Sequence, residues 1–124
     1  MMSPIVGCHA VELSDSAKYI NRWFVVDEKY EWLKDADLTA VKLSVSFGNL
    51  VVRAPGMLRL DIPMDVIEDD ESVFVDAVVG KQSVKVVDEG DLAAVWFSNL
   101  LGRPCRLVKV HPNVEPPHFE GLGL

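Results

Sequence analysis

Cysteine is scarce in this chain. Cys8 and Cys105 are the two in 124 residues, too few for a disulfide framework, and neither falls in a C-x-x-C pair or beside a His-x-x-x-His spacing that would ligate a metal. Reduced thiols carried on strands are expected, and with them a cytoplasmic protein. Basic residues are short as well: 12 Lys and Arg against 19 Asp and Glu leave a net charge of −7. There is no basic stripe, which disfavours a nucleic-acid partner. No apolar run approaches the ~20 residues of a membrane span, and Met1 to His9 lacks the cationic and long apolar regions of a signal peptide. Solenoid-period repeats are missing too. What is present is a domain-sized chain, 49% hydrophobic and 25% charged, able to bury a core of its own.

Most of that hydrophobic content falls in short β-rich runs. Ile5 to Leu13 reads as a first strand interrupted by Gly7. Trp23 to Asp27 and Tyr30 to Leu33 read as a pair across Glu28-Lys29, a hairpin-length gap whose residues do not favour positive φ. Leu43, Val45 and Phe47 alternate on one face up to Gly48-Asn49, a two-residue hairpin signal. Leu50 to Arg53 returns, Pro55-Gly56 turns the chain, and Leu58, Leu60 and Ile62 alternate to Pro63. An acidic connection over 65–71 leads to Ser72 to Val79 and Gln82 to Val87, bracketing a Gly80-Lys81 turn. Cys105 to Val110 closes the series.

One helix interrupts the strands, at about 91–101. Asp88 or Asp91 can cap it, Leu92, Trp96 and Leu100 recur at helical spacing beside Ala93, Phe97 and Leu101, and Gly102 with Pro104 ends it. A mainly β fold follows: a small antiparallel β-barrel of about eight strands with one late α-helix, over residues 1–110. Closure into a barrel would remove the edges that so many apolar strands otherwise expose. From His111 to Leu124 prolines and glycines gather, which predicts a linker or tail with His111 and His118 solvated.

Four segments carry a resemblance: Trp23-Phe24-Val25-Val26-Asp27, Ala54-Pro55-Gly56-Met57, Gly90-Asp91-x-Ala93-Ala94-x-Trp96 and Leu101-Gly102-Arg103-Pro104-x-Arg106-Leu107-Val108. In this order and register the chain resembles the N-terminal β-barrel domain of MOSC proteins, the group that includes the C-terminal part of molybdenum-cofactor sulfurase and the amidoxime-reducing component. The resemblance spans about Ile5 to Val110. It implies a barrel with a late helix, normally followed by a MOSC domain whose cysteine ligates molybdenum or accepts sulfur. The chain ends at Leu124, where the joint to that domain would lie, so the expected partner is a MOSC-domain protein in trans, and the molybdenum cofactor enters by resemblance alone. Where the family tends to have Gly-Asp-Arg-Arg-Trp, this chain has Tyr19-Ile20-Asn21-Arg22-Trp23, and a Thr-Gln-Arg run is replaced by Lys34-Asp35-Ala36. Arg22 alone keeps its charge and is the candidate cofactor contact.

The remaining candidates have plain structural readings. Cys8 and His9 sit side by side, but neighbours on a strand point to opposite faces and cannot pair. Cys105 reads as a buried thiol. Glu68-Asp69-Asp70-Glu71 lacks the alternating ligands and Gly of an EF-hand loop and reads as a charged surface connection. Trp96 and Phe97 read as packing residues. No catalytic residue and no metal ligand is assigned. The resulting expectation is a non-catalytic, stand-alone binding module that docks a MOSC-type partner or a small ligand at the barrel mouth. The alternative is part of a molybdenum-cofactor-linked sulfur-transfer or reductase enzyme with its chemistry supplied elsewhere, or one using Arg22 and a cysteine.

Overall fold

Alternating apolar residues become strands wherever a neighbour covers one face. The computed structural model describes residues 3–8, 19–65, 70–111 and 114–119. Within them are β1 (Trp23–Val26), β2 (Lys42–Ser46), β3 (Asn49–Arg53), β4 (Leu60–Pro63), β5 (Val75–Val79), β6 (Gln82–Asp88), the helix α1 (Asp91–Leu101) and β7 (Arg106–Val110). All the strand pairs are antiparallel. A four-stranded sheet has the order β1-β7-β6-β5, and a second sheet has the order β2-β3-β4.

The mainly β expectation holds, with seven strands among the described residues. Two expected strands are reduced to bridges. Ile5 makes a single parallel bridge to Trp23, and residues 9–13 of that run lie outside the described part. Tyr30 to Leu33 also forms no strand, yet it has a structural role. The Trp32 amide donates to the Val78 carbonyl (2.8 Å), and the Val78 amide donates to Tyr30 (2.8 Å). On its other side Leu33 donates to Val25 (3.0 Å) and Asp27 to Glu31 (2.9 Å). The segment thus links β5 to β1, the two edges of the four-stranded sheet, which rolls into a half-barrel and leaves less unpaired edge exposed.

Turn chemistry sets the register. Phe47 (φ 51°) and Gly48 (φ 76°) both adopt positive φ, the pattern of a type I′ hairpin. The turn therefore sits one residue earlier than Gly48-Asn49, because Asn49 already pairs with Ser46. That places Phe47 at the exposed tip and leaves Val45 exposed, while Leu43 is partly buried. Gly80-Lys81 forms the β5–β6 turn as the sequence predicts.

The core has two compartments that share strands. Phe24 and Val26 of β1, Ala77, Val79, Val84, Val86, Val108 and Val110 fill the half-barrel. Trp23 and Val25 point the other way with Leu107, meeting Leu50, Val52, Leu60 and Ile62 of the second sheet and Ala93, Trp96 and Phe97 of α1. Burial on both faces explains why β1 reads as an unbroken apolar run rather than an alternation. Among the described residues no helix is long and apolar enough to cross a membrane.

The tail expectation changes where the structure describes it. Phe119 is buried in the half-barrel compartment, with its ring edge-on to Phe24 (5.3 Å) and to Trp32 (4.9 Å). Gln82 exchanges two hydrogen bonds with the backbone of His118, donating at 2.7 Å and accepting at 2.9 Å. Part of the segment read as linker is therefore packed against the sheet, because Val114 and Phe119 supply apolar anchors between its prolines.

Candidate functional site

α1 is positioned by glycines at both ends. Gly102 takes the left-handed conformation (φ 68°) and donates to the Ser98 carbonyl at 2.9 Å, the helix stop expected from Gly102-Arg103-Pro104. At the other end Gly90 is the N-cap, and no side chain caps the helix. Asp88 and Asp91 do not cap; both turn to Arg106. The Arg106 guanidinium donates to both carboxylate oxygens of Asp88 and, at 2.8 Å, to Asp91. Asp88 also accepts from the Gly90 amide (2.8 Å) and the Tyr30 hydroxyl (2.9 Å). Burial works against its charge, but these hydrogen bonds prevail and hold its carboxyl below the ordinary range.

The buried face of α1 is Ala93, Ala94, Trp96 and Phe97. Leu92, expected in the apolar stripe, faces outward. From the packed side, the Trp96 indole donates to the Leu58 carbonyl at 2.6 Å, tying the helix to the turn Ala54–Met57. In that turn Pro55 and Gly56 (φ 76°) occupy the type II positions, and the Met57 amide donates to Ala54 (3.1 Å). Between helix and turn lies a groove of about 620 Å³ bounded by Met57, Leu58, Leu60, Leu92, Val95 and Trp96. Its apolar rim stands open: Leu58 is 86% exposed, Leu92 78% and Val95 57%. Three large aliphatic side chains around one groove on a small protein form a contiguous patch rather than scattered surface residues. Two of the four segments carrying the family resemblance, 54–57 and 90–96, meet here.

A second polar constellation lies behind β1. Trp23 donates from its indole nitrogen to Glu89 at 2.5 Å, and Lys109 stands 5.1 Å from the centroid of the Trp23 ring. Lys109 is buried, and its ammonium donates to the Met64 carbonyl at 2.7 Å. Burial raises the Glu89 carboxyl above its ordinary range, against the hydrogen bond from Trp23 and the charge of Lys109. Tyr19 stacks on Trp23 (6.3 Å) and its hydroxyl donates to Asp65. In the sequence Lys109 is marked only as a charge in the middle of the otherwise apolar Leu107 to Val110.

Arg22 lies at the start of β1, with its Nη1 donating to the carbonyls of His111 (2.9 Å) and Val114 (2.5 Å). Burial lowers its pKa, partly opposed by Glu115. It thus clamps the tail. Its neighbour Asn21 (φ 57°) replaces the arginine of the related motif. With one guanidinium held by two main-chain oxygens, Tyr19 to Trp23 do not fit the anionic pterin that the resemblance implies. Cys8 and Cys105 are buried free thiols. Burial pushes Cys8 up to about 12 and raises Cys105, which contacts the Ser98 hydroxyl, so neither is primed as a nucleophile. His111 is half-buried against Phe74 (5.4 Å), whereas the His118 side chain is exposed as expected. His9, Glu68 and Asp69 lie outside the described residues, among which no three His, Cys, Asp or Glu side chains converge as metal ligands.

Comparison with known proteins gives two levels of likeness. No protein-family model matches the sequence. A solution structure of a Bordetella bronchiseptica protein shares 47% identity and a TM-score of 0.77, over 97% of this chain and 95% of that one. Molybdenum cofactor sulfurase of Danio rerio is 24% identical over 121 residues, 88% of this chain and 15% of that protein. The Homo sapiens molybdenum cofactor sulfurase is 25% identical over 123 residues, 90% of this chain and 14% of its own length. The chain therefore spans about a seventh of the length of these curated relatives.

Proposed function

The chain belongs to the family of the Bordetella bronchiseptica protein, and from that premise we propose that it is a non-catalytic binding module, related to the N-terminal β-barrel domain of MOSC proteins, that docks a MOSC-type partner through the groove between α1 and the 54–57 turn. The observation that carries this reading is the open apolar rim of Leu58, Leu92 and Val95. Distant similarity to molybdenum cofactor sulfurases supports it, because there the matched region is embedded in a much longer chain. In such a chain an apolar face of this kind would be covered by neighbouring protein, the role proposed here for the MOSC-type partner. The rim has the character of an interface centre, aliphatic with an aromatic floor, and charge lies at its margin in the Arg59–Asp61 pair (2.6 Å). Sulfur transfer or reduction would belong to the partner.

Titration calorimetry against the isolated MOSC domain of a molybdenum cofactor sulfurase tests this. Saturable binding is expected, weakened at least tenfold in a Leu58→Asp, Leu92→Asp double variant. Both positions are exposed, so the variant should keep its fold, checked by circular dichroism. Absence of binding by the unaltered chain, or equal binding by the folded variant, rejects the proposal.

A further inference from the structure

At the opposite kind of surface, beside the β5–β6 turn, lies a cavity of about 710 Å³ bounded by Trp32, Lys34, Val79, Gly80, Lys81, Gln82 and His118. We propose that it is a binding site for a small anion carrying a planar apolar ring, independent of the docking groove.

Charge makes the first argument. The chain has 19 acidic and 12 basic side chains, yet the described residues of this cavity wall include two lysines, one histidine and no carboxylate. Several other cations are matched: Arg59 with Asp61, Lys85 with Asp76, Arg103 with Asp35 and Arg106 with Asp88 and Asp91. The side-chain ammonium groups of Lys34 and Lys81 make no ion pair or hydrogen bond among the described residues. Two unmatched ammonium groups facing one cavity repel each other and favour an anion between them.

The second argument comes from the wall itself. Trp32 is half-buried, and its ring is fixed from one side by the edge of Phe119 at 4.9 Å. Its backbone is pinned to Val78 (2.8 Å). Its indole N–H has no acceptor among the described residues and is open to solvent, so it can donate to a ligand. Buried Val79 adds an aliphatic surface. A held aromatic face, a spare N–H donor and two cations suit a ring-bearing carboxylate or phosphate better than a bare ion. Another part of the wall is the His118 segment, kept in place by its paired hydrogen bonds with Gln82 (2.7 and 2.9 Å), so the tail that Arg22 clamps completes the site.

Phenyl phosphate and benzoate, titrated separately into the isotope-labelled full chain and followed by amide and indole NMR shifts, provide the test. The Trp32 indole and the Gly80 to Gln82 amides should shift saturably with at least one of them, half-saturating on the order of 1 mM or below; which one binds more tightly identifies phosphate or carboxylate as the preferred anion. A Lys34→Glu, Lys81→Glu variant should bind at least tenfold more weakly, while a Lys29→Glu, Lys42→Glu control of equal net charge should bind as before. Leu58→Asp with Leu92→Asp should leave this binding intact, so failure of the docking proposal and failure of this one are separable. Inorganic phosphate binding as tightly as phenyl phosphate overturns the ring contact. Lack of a saturable shift at Trp32 with both probes, or equal weakening in the two lysine variants, overturns the site.

Discussion

Asp88 shows how much a single side chain coordinates. It receives Arg106, the Gly90 amide and the Tyr30 hydroxyl, joining β6, β7, the start of α1 and the 27–33 turn. Its side chain is 19% exposed and that of Arg106 30%, so solvent screens the pair only in part. Asp88→Asn should cost about 1–2 kcal/mol at pH 7, since one charge-assisted acceptor is lost and Arg106 retains Asp91. The pH dependence has a definite sign. The folded carboxyl titrates below the unfolded value of about 3.9, so its contribution is present above that pH and is lost as pH falls through the folded value. Denaturant melts of the wild type and Asp88→Asn should differ at pH 7 and converge as pH falls through the folded value. A constant gap across that range would mean that the charge is not what the site uses.

Residues of this kind were legible as types but not as partners. Asp88 and Asp91 read as helix caps because an acid ahead of an apolar run ordinarily caps. Here glycine takes the cap, and a cation 15 and 18 residues downstream captures both acids. Tyr30 in a left-handed conformation (φ 62°) was equally hidden. Glu28-Lys29 looked like a poor hairpin pair, and the turn is in fact held by Asp27, whose carboxylate accepts from the amides of Lys29 (2.8 Å) and Glu31 (3.0 Å).

Elements were easier to read where a glycine or proline punctuates them. α1 ends at Gly102 and the third hairpin turns at Gly80-Lys81, both as the sequence implies. Which helix face is buried was harder to read, since Leu92 and Ala93 fit a stripe equally well until β7 and the second sheet choose the alanine side. Composition misled at the tail. Prolines and glycines describe how a backbone is built, not whether an aromatic among them finds a pocket, and Phe119 does. Phe119→Ala should therefore lower stability by about 2–4 kcal/mol, the range for a large buried aromatic removed from a core. A frayed tail would give a change within about 0.5 kcal/mol. Equilibrium denaturation followed by tryptophan emission distinguishes the two, Trp32 lying against the Phe119 ring.

Across the whole molecule, the two core compartments have a common wall. β1 sends Trp23 and Val25 to one and Phe24 and Val26 to the other; β7 sends Leu107 to one and Val108 and Val110 to the other. The two strands are paired with each other from Trp23–Lys109 to Val26–Arg106. Neither compartment can lose this wall without exposing the other, so the half-barrel and the second sheet should unfold as one cooperative unit. β2 differs: among the described residues it lies at an edge of its sheet and pairs with β3 alone, and it exposes Lys42, Ser44 and Val45. Native-state hydrogen exchange should then show β1 and β7 amides opening only with the global free energy and unfolding slope. The outward-facing amides of β2 should open locally at a lower free energy, with little dependence on denaturant. Two separate global limits, one for each sheet, would contradict the shared wall. A single limit that also includes the outer amides of β2 would contradict the weak edge, and with it the view that the stable part of this protein is the pair of strands enclosed on both faces.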